Sequence, residues 1–518
     1  MKLAEIKSLG EYGVISDRQA WALPPNAFTS GRNFRLANDI VFAYNGTTDL
    51  WTPVTPFNAG FIEAVKSGSD TFYLIAGRSA VYAFDGLAFF DVTSTAGYSA
   101  LGIDDELLWQ SCKVGVIPVL NNRQHYPEFW APQSTSQILQ PLPFDSTNTW
   151  QDKGFHAKLM RAHGNFLFAL GLVEGGIELP NMYRWSHPAD INGLPFSWDE
   201  ADLSTLASKE SIGGSSGSIV DGKSLRDAFA IYSQNAINIL TYTGDEFVFA
   251  RREMSSSYGL LSRNCVVEVQ GSHIFLTDGD ILVNDGNSLR SIIHNKMRKK
   301  LVSSISTENF ERSFAIANYA KKEAWFCITE EDTELPTLAF IYNWEEDKIS
   351  LRDLDGKTAF LTYGPKLSQP LTWNNMTFTW QEWSDSWDSN SNTPFTNILI
   401  GVDRTTSIVN TPEINNSDYN TVLERTDLIL EDAREITSII RVYPHVICDG
   451  PVLIRFGSQD FTGGPVRWKD EVSFNPNTDR KIDVRTTGAL HAWRIQSVGT
   501  AQFSLSGIDI EYINNGRR

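Results

Sequence analysis

Between Val266 and Ile293, four short apolar segments and three tight turns are compressed into fewer than thirty residues. Val266 to Gln270 reads as a strand turned by Gly271-Ser272. His273 to Leu276 is a second, closed by Thr277-Asp-Gly-Asp280. Ile281 to Asn284 is a third, turned by Asp285-Gly-Asn287, and Ser288 to Ile293 is a fourth. Asp-Gly flanked by apolar runs is a strong hairpin signal. A four-stranded meander of this size cannot bury its apolar face alone, so it requires sister units packed around it, as blades do in a β-propeller.

Sister units occur on both sides. Downstream, 313–318, 323–329, 337–343 and 348–352 repeat the rhythm around a turn at Tyr319. Upstream, 227–232, 236–243 and 246–251 do so, with Tyr242-Thr-Gly-Asp245 as the turn. Weaker copies lie at 159–198 and 71–92, where Phe84-Asp-Gly86 marks a hairpin, and 107–130 holds a further candidate. The period of roughly 40 residues and about six units match propeller architecture. The predicted fold class is therefore all-β: a propeller of about six irregular four-stranded blades with a C-terminal antiparallel β-sandwich or platform domain.

Three regions follow. Residues 1–60 form a lead-in segment packing on the platform, broken by Gly10, Gly13, Pro24-Pro25, Gly31 and Pro53. Met1 to Leu9 within it fits a helical turn or an edge strand. Residues 61–410 form the propeller with inserted loops. Residues 411–518 form the platform, in which 436–443, 452–456, 481–485, 491–497 and 502–512 alternate apolar and polar residues in the manner of a sandwich.

Two features stand outside the blade pattern. Residues 295–314 are the best helix candidate, with Met297, Leu301, Ile305 and Phe310 near helical spacing beside Lys296, Arg298, Lys299 and Lys300. That basic cluster reads as the solvated face of a connecting helix, since no second basic patch accompanies it. Residues 372–393 carry Trp373, Trp380, Trp383 and Trp387 among Asp, Ser and Asn. They fit either a docking hairpin or a loop pinned to its own blade.

Charge narrows the function classes. With 44 Lys and Arg against 62 Asp and Glu, the net charge of -18 disfavours gripping a phosphate backbone. An acidic passage would instead let DNA slide. An excess of Asp and Glu is accordingly expected on the surface facing a channel in the assembled ring. Cys112, Cys265, Cys327 and Cys448 show no CxxC spacing and read as buried free thiols folded in a reducing compartment. No apolar run reaches the roughly 18 residues of a membrane span. The N-terminal residues lack a signal-peptide h-region.

No catalytic, cofactor or metal motif emerges. HExxH and the dinucleotide fingerprint are missing from the sequence. Gly213-Gly-Ser-Ser-Gly-Ser218 is glycine-rich and reads as a flexible loop. His156 and His163, seven apart, fall on opposite faces of a strand. Asp278-Gly-Asp280 and Asp285-Gly-Asn287 lack the closing Glu of a calcium loop and read as hairpin turns. The expectation is a non-enzyme without cofactor, catalytic or metal residues, although carboxylates from distant blades could still converge as in glycoside hydrolysis.

Several short motifs resemble the tail nozzle proteins of short-tailed bacteriophages, also called tail tubular protein B or DNA stabilization proteins. They are Arg35-Leu-Ala-Asn-Asp-Ile40, Met182-Tyr-Arg-Trp-Ser-His-Pro-Ala-Asp190 and Gly259-Leu-Leu-Ser-Arg-Asn264 leading into Asp280-Ile-Leu-Val-Asn-Asp-Gly286. To these add Met297-Arg-Lys-Lys300 followed by Glu323-Ala-Trp-Phe-Cys327, then Leu505-Ser-Gly-Ile-Asp-Ile510 and Gly516-Arg-Arg518. The resemblance implies a structural virion protein at the distal end of a short tail, assembled in the host cytoplasm as a homo-oligomeric ring, with six copies expected. It further implies docking to an adaptor or tubular protein and to tail fibres or spikes, and transient passage of phage DNA without sequence-specific binding. The alternative is a glycan-binding or glycan-hydrolysing propeller acting on host surface polysaccharide.

Overall fold

The computed structural model describes residues 1–517 except 45, 68–69, 132–137, 192, 214–215, 245–246, 368–396, 414–419, 449 and 500–501. The Trp-rich stretch lies outside the described residues, as do Asp245 and the Gly214-Ser215 centre of the glycine-rich loop.

Among the described residues, seven four-stranded antiparallel sheets form the propeller. Blade I spans 59–91, blade II 110–141, blade III 156–211, blade IV 219–255, blade V 266–291 and blade VI 314–353. Blade VII combines Thr358–Pro365, Asn397–Asp403 and Val409–Thr411 with Thr48–Trp51, which pairs antiparallel with Val409–Thr411. The ring is thus closed by a strand from the N-terminal segment. Residues 48–51 belong to the propeller and not to the platform lead-in, which moves that boundary back from residue 61. The seventh blade is one more than the repeats countable along the sequence.

Central blade strands are buried on both faces. Glu323–Ile328 and Leu338–Asn343 are buried at every position, because neighbouring blades cover each side. This explains why they read as continuous apolar runs instead of alternating ones. Platform strands obey the other rule: Ile482–Gly488 alternates buried and exposed throughout, as expected for a sheet with one face in water.

The platform is a sandwich of two six-stranded sheets, and each recruits lead-in strands. In one, Lys2–Lys7 and the hairpin of Phe34–Ala37 with Ile40–Ala43 join Phe503–Arg517, Glu435–Cys448 and Ile482–Gly488. Met1 to Leu9 therefore takes the edge-strand option, pairing Leu3 with Glu511 and Ile6 with Ile508. Asn38 and Asp39 both have positive φ, 52° and 59°, the geometry a two-residue type I′ hairpin demands. In the other sheet, Ser30–Arg32 joins Val422–Leu428, Leu490–Gln496 and Val452–Gln459.

Platform and propeller share one apolar core. Leu36 and Val41 of the platform belong to the same buried cluster as Ile349 and Leu351 of blade VI and Phe275 of blade V. Gly13, at φ +66°, sits where a Cβ would lie 2.6 Å from the Leu36 side chain and 3.3 Å from the Ile349 carbonyl. The close approach of lead-in and blade requires glycine there.

The helix predicted over 295–314 is shorter. Arg298–Ser304 is α-helical, and Phe310–Arg312 forms a separate 3-10 turn. Asp17 of the lead-in terminates it, accepting from the backbone N–H of Arg298 at 2.7 Å and of Lys299 at 3.0 Å. Met297 and Leu301 are its buried anchors, and Lys299 is solvent-exposed.

Candidate functional site

The first strands of the seven blades surround the propeller axis and enclose a cavity of about 370 Å³. Every blade contributes to its lining, among them Phe61 and Glu63 from blade I, Lys113 from II, Arg161 from III and Asp221 with Lys223 from IV. Glu268, Ile316 and Thr362 come from blades V, VI and VII. Period-2 alternation explains the pairs: Phe61 and Glu63, or Asp221 and Lys223, lie two apart and face the same side.

The axis is blind. At the N-terminal ends of the first strands, Phe360 packs against Phe61 at 4.8 Å and Phe314 at 4.7 Å between ring centroids. Arg263, preceding blade V, reaches across to donate to the Leu107 carbonyl before blade II. Beyond this stopper lies a void of about 20 Å³ lined by Gly60, Leu107, Arg263 and Phe314, room for about one water. Gly60 is required there, since a Cβ would sit 2.0 Å from the Glu106 carbonyl oxygen. The cavity is therefore a cup and not a pore.

Its charged residues divide by how completely they are paired. Arg161 spends all five guanidinium donors. Nε donates to Asp221 Oδ1 at 2.8 Å and Nη2 to Asp221 Oδ2 at 3.0 Å. Nη1 donates to Gln110 Oε1 at 2.9 Å and the Met160 carbonyl at 3.2 Å, and Nη2 also to Asn264 Oδ1 at 2.8 Å. Asp221 also accepts from the backbone N–H of Gly222 at 2.6 Å and Asn264 at 2.7 Å. Burial alone would push its carboxyl up, but Arg161 and these donors hold it below the ordinary value. This cluster joins blades II, III, IV and V and has no capacity left for a ligand.

Lys113 is also paired, with Glu63 Oε1 at 2.8 Å and the Ala64 carbonyl at 2.5 Å. Glu268 Oε1 accepts from the Gly271 N–H at 3.0 Å. Lys223 differs: its ammonium makes no hydrogen bond or ion pair with any described residue. Burial and the Arg161 charge hold its ammonium below the ordinary lysine value, partly offset by Asp221, Glu63 and Glu268.

Lining carboxylates Glu63, Asp221 and Glu268 are matched by Lys113, Arg161 and Lys223, so the acidic surplus of the chain does not reside in this cup.

The residues read as structural from sequence are placed as follows. Asp285 accepts from the N–H groups of Asn287 at 2.8 Å and Ser288 at 2.7 Å, which draw its carboxyl down to about 2. Asp280 Oδ1 accepts from the Ile281 N–H at 2.8 Å and the Ser291 hydroxyl at 2.7 Å. These turns spend their carboxylates on their own hairpins. Among the described residues, no group of three or more His, Cys, Asp or Glu is arranged to hold a metal ion. His156 and His163 stand at opposite ends of one strand, and His163 Nδ1 lies 3.0 Å from the Ser224 hydroxyl. All four cysteines are free and buried, and burial pushes Cys112 and Cys265 up to about 12.

Sequence reasoning did not single out Lys223 or its neighbours, because the cup takes one or two residues from each distant repeat. The usable signal is a charged residue inside the otherwise apolar opening strand of successive units, at Glu63, Lys113, Arg161, Asp221 and Glu268.

No family model matches the chain, and no curated protein matches it. Solved structures with similarity include the extracellular domain of a putative hybrid two component system from B. thetaiotaomicron, 10% identical with a TM-score of 0.40, covering 85% of this chain and 49% of that one. The chain thus spans about half the length of that structure. Another is the N-terminal domain of Nup159, 9% identical with a TM-score of 0.36, covering 71% of this chain and 94% of that one. The propeller assignment follows from the strand topology of the chain itself.

Proposed function

We propose that this chain is a non-catalytic structural protein of a short phage tail, assembling as a ring that guides or closes the DNA exit and docks adjacent tail proteins. The observation that carries this reading is where the nozzle-like motifs meet. Arg35 of the first motif donates to Glu323 of a later one at 2.5 Å, across the joint between platform and blade VI. Leu505 and Ile508 of the closing motif pair with Val41 and Ile6 in the platform. The Met297-Arg-Lys-Lys300 motif is fastened to the lead-in through Asp17. Motifs scattered along the sequence therefore build a single joint, the element a ring subunit needs to hold its two domains at a fixed angle.

Because the blade axis is stoppered, a DNA passage in this reading runs between copies and not through a propeller. A duplex whose major groove alone is about 12 Å wide cannot thread a cup of 370 Å³ closed by three phenylalanines. Heterologous self-association gives a closed ring when the rotation between neighbouring copies closes. Electron microscopy of the purified chain, alone and mixed with tails, tests it. Rings, or density capping the tail tip, are expected; monomers at high concentration with no affinity for tails would overturn it.

A second reading, glycan recognition by the propeller, is favoured by one observation, the blind cup whose Lys223 ammonium has no partner among the described residues.

A further inference from the structure

We propose that the axial cup binds a sugar acid, a monosaccharide-sized polyol carrying one carboxylate, with the carboxylate on Lys223 and the hydroxyls on Glu63 and Glu268. This deepens the glycan reading and is independent of whether copies assemble into a ring.

The first consideration is the size of the cup and the state of its cations. The cup volume of about 370 Å³ lies in the small-molecule range of about 300–1,000 Å³. Lys223 is the cation of the lining that lacks a partner among the described residues, while Arg161 is saturated and Lys113 is held by Glu63 and a carbonyl. An ammonium left unpaired at the largely buried wall of a cup is costly unless an anion visits it.

The second consideration is what the remaining walls reject. Glu63 and Glu268 face the same space and would repel a multiply charged anion such as a phosphate dianion or a nucleic-acid backbone. Each is also a strong acceptor for hydroxyl hydrogens. A ligand with one negative charge and several hydroxyls satisfies Lys223 and both carboxylates together. Phe61 and Phe360 supply an apolar floor suited to the C–H face of a pyranose.

The stopper adds a geometric restriction. With the far end closed by Phe61, Phe314, Phe360 and Arg263, a chain cannot thread the axis. Only a free sugar acid or the terminal residue of a glycan enters.

Isothermal titration calorimetry of the full chain with glucuronate, glucose, acetate and inorganic phosphate tests the proposal. One saturable site for glucuronate is expected, with glucose, acetate and phosphate each weaker by at least about ten-fold, since a hydrogen bond to a charged group is worth that much. Lys223→Gln should lose glucuronate affinity by a similar factor while keeping the thermal unfolding midpoint, because it removes a charge that burial already penalises. Lys299→Gln, on the solvent face of the connecting helix, should bind as the parent does. Absence of saturable glucuronate binding, phosphate binding as tightly as glucuronate, or equal losses in Lys223→Gln and Lys299→Gln would each overturn it.

Discussion

Arg161 and Asp221, on the opening strands of neighbouring blades, form a two-pronged ion pair at 2.8 and 3.0 Å, and each has its remaining hydrogen-bonding capacity filled by a third or fourth blade. A ring of blades has no continuous backbone ladder around its axis, so side-chain links of this kind resist slippage of one blade against the next. Arg161 is mostly buried and Asp221 is 1% exposed, where a planar fork matched to a carboxylate is at its most effective.

Removing one member of this pair leaves the other as an uncompensated buried charge. Asp221→Ala is therefore expected to cost about 3–5 kcal/mol, and Arg161→Met a similar amount. The double variant Arg161→Met with Asp221→Ala should recover much of the loss. Urea unfolding of the three variants gives the coupling energy; strictly additive losses would mean that the pair is not an energetic unit.

Acid sensitivity follows from two neutral histidines. His273 Nε2 donates to the Ser224 carbonyl at 2.7 Å, so Nδ1 must accept from the Tyr232 hydroxyl at 2.8 Å, which in turn accepts from Asn284 Nδ2 at 3.1 Å. The ring has no acceptor for a second proton, and burial lowers it to about 4. His491, beside the Thr437 hydroxyl at 2.7 Å, is likewise lowered by burial to about 4. The unfolded chain takes up protons near the ordinary value of about 6.5, before the folded chain does. Stability is then complete above that pH and falls as pH drops towards 4, by up to roughly 3 kcal/mol per histidine. Denaturation midpoints at pH 7, 5.5 and 4.5 should show it, and His273→Gln should flatten the profile; a pH-independent midpoint would contradict the account.

Ring closure depends on a strand far away in sequence. Trp51, on the strand that completes blade VII, packs its ring 4.6 Å from Phe84 and 5.3 Å from Tyr73 in blade I. Trp51→Ala should lower stability by about 2–3 kcal/mol, somewhat under the range for a fully buried ring because Trp51 is half-buried. Hydrogen exchange should then rise first at the seam between blades VII and I. A uniform rise across all blades would show that closure is not a local weak point.

Legibility in the sequence tracked how local each feature is. Blade V was plain because Gly271, Asp278-Gly279 and Asp285-Gly286 punctuate strands that pair only with their neighbours in sequence. The strand Ile482–Gly488 was plain because one face meets water. Blade VII was not, since its fourth strand, Thr48–Trp51, pairs with residues some 360 positions away. The opening strand Ile219–Leu225 of blade IV was missed for a different reason: its channel-facing Asp221 and Lys223 interrupt the apolar pattern that marks a strand. The cup was invisible for the same cause, because the residues that make it a site are those that break the repeat.

The joint between platform and propeller offers the most discriminating test of domain coupling. Arg35 Nε donates to Glu323 Oε1, and Glu323 Oε2 accepts from the Trp325 indole N–H at 3.1 Å. Glu323 is 1% exposed, so Arg35→Ala strands a buried carboxylate and should cost about 3–5 kcal/mol. Glu323→Gln in that background restores a neutral partner for Trp325 and should return part of it. Because Leu36 and Val41 share a core with Ile349 and Leu351, the two domains are expected to unfold in one transition in the parent chain. Arg35→Ala should separate it into two calorimetric transitions if the ion pair is what couples them. A single transition at lower temperature would instead assign the coupling to the shared apolar core.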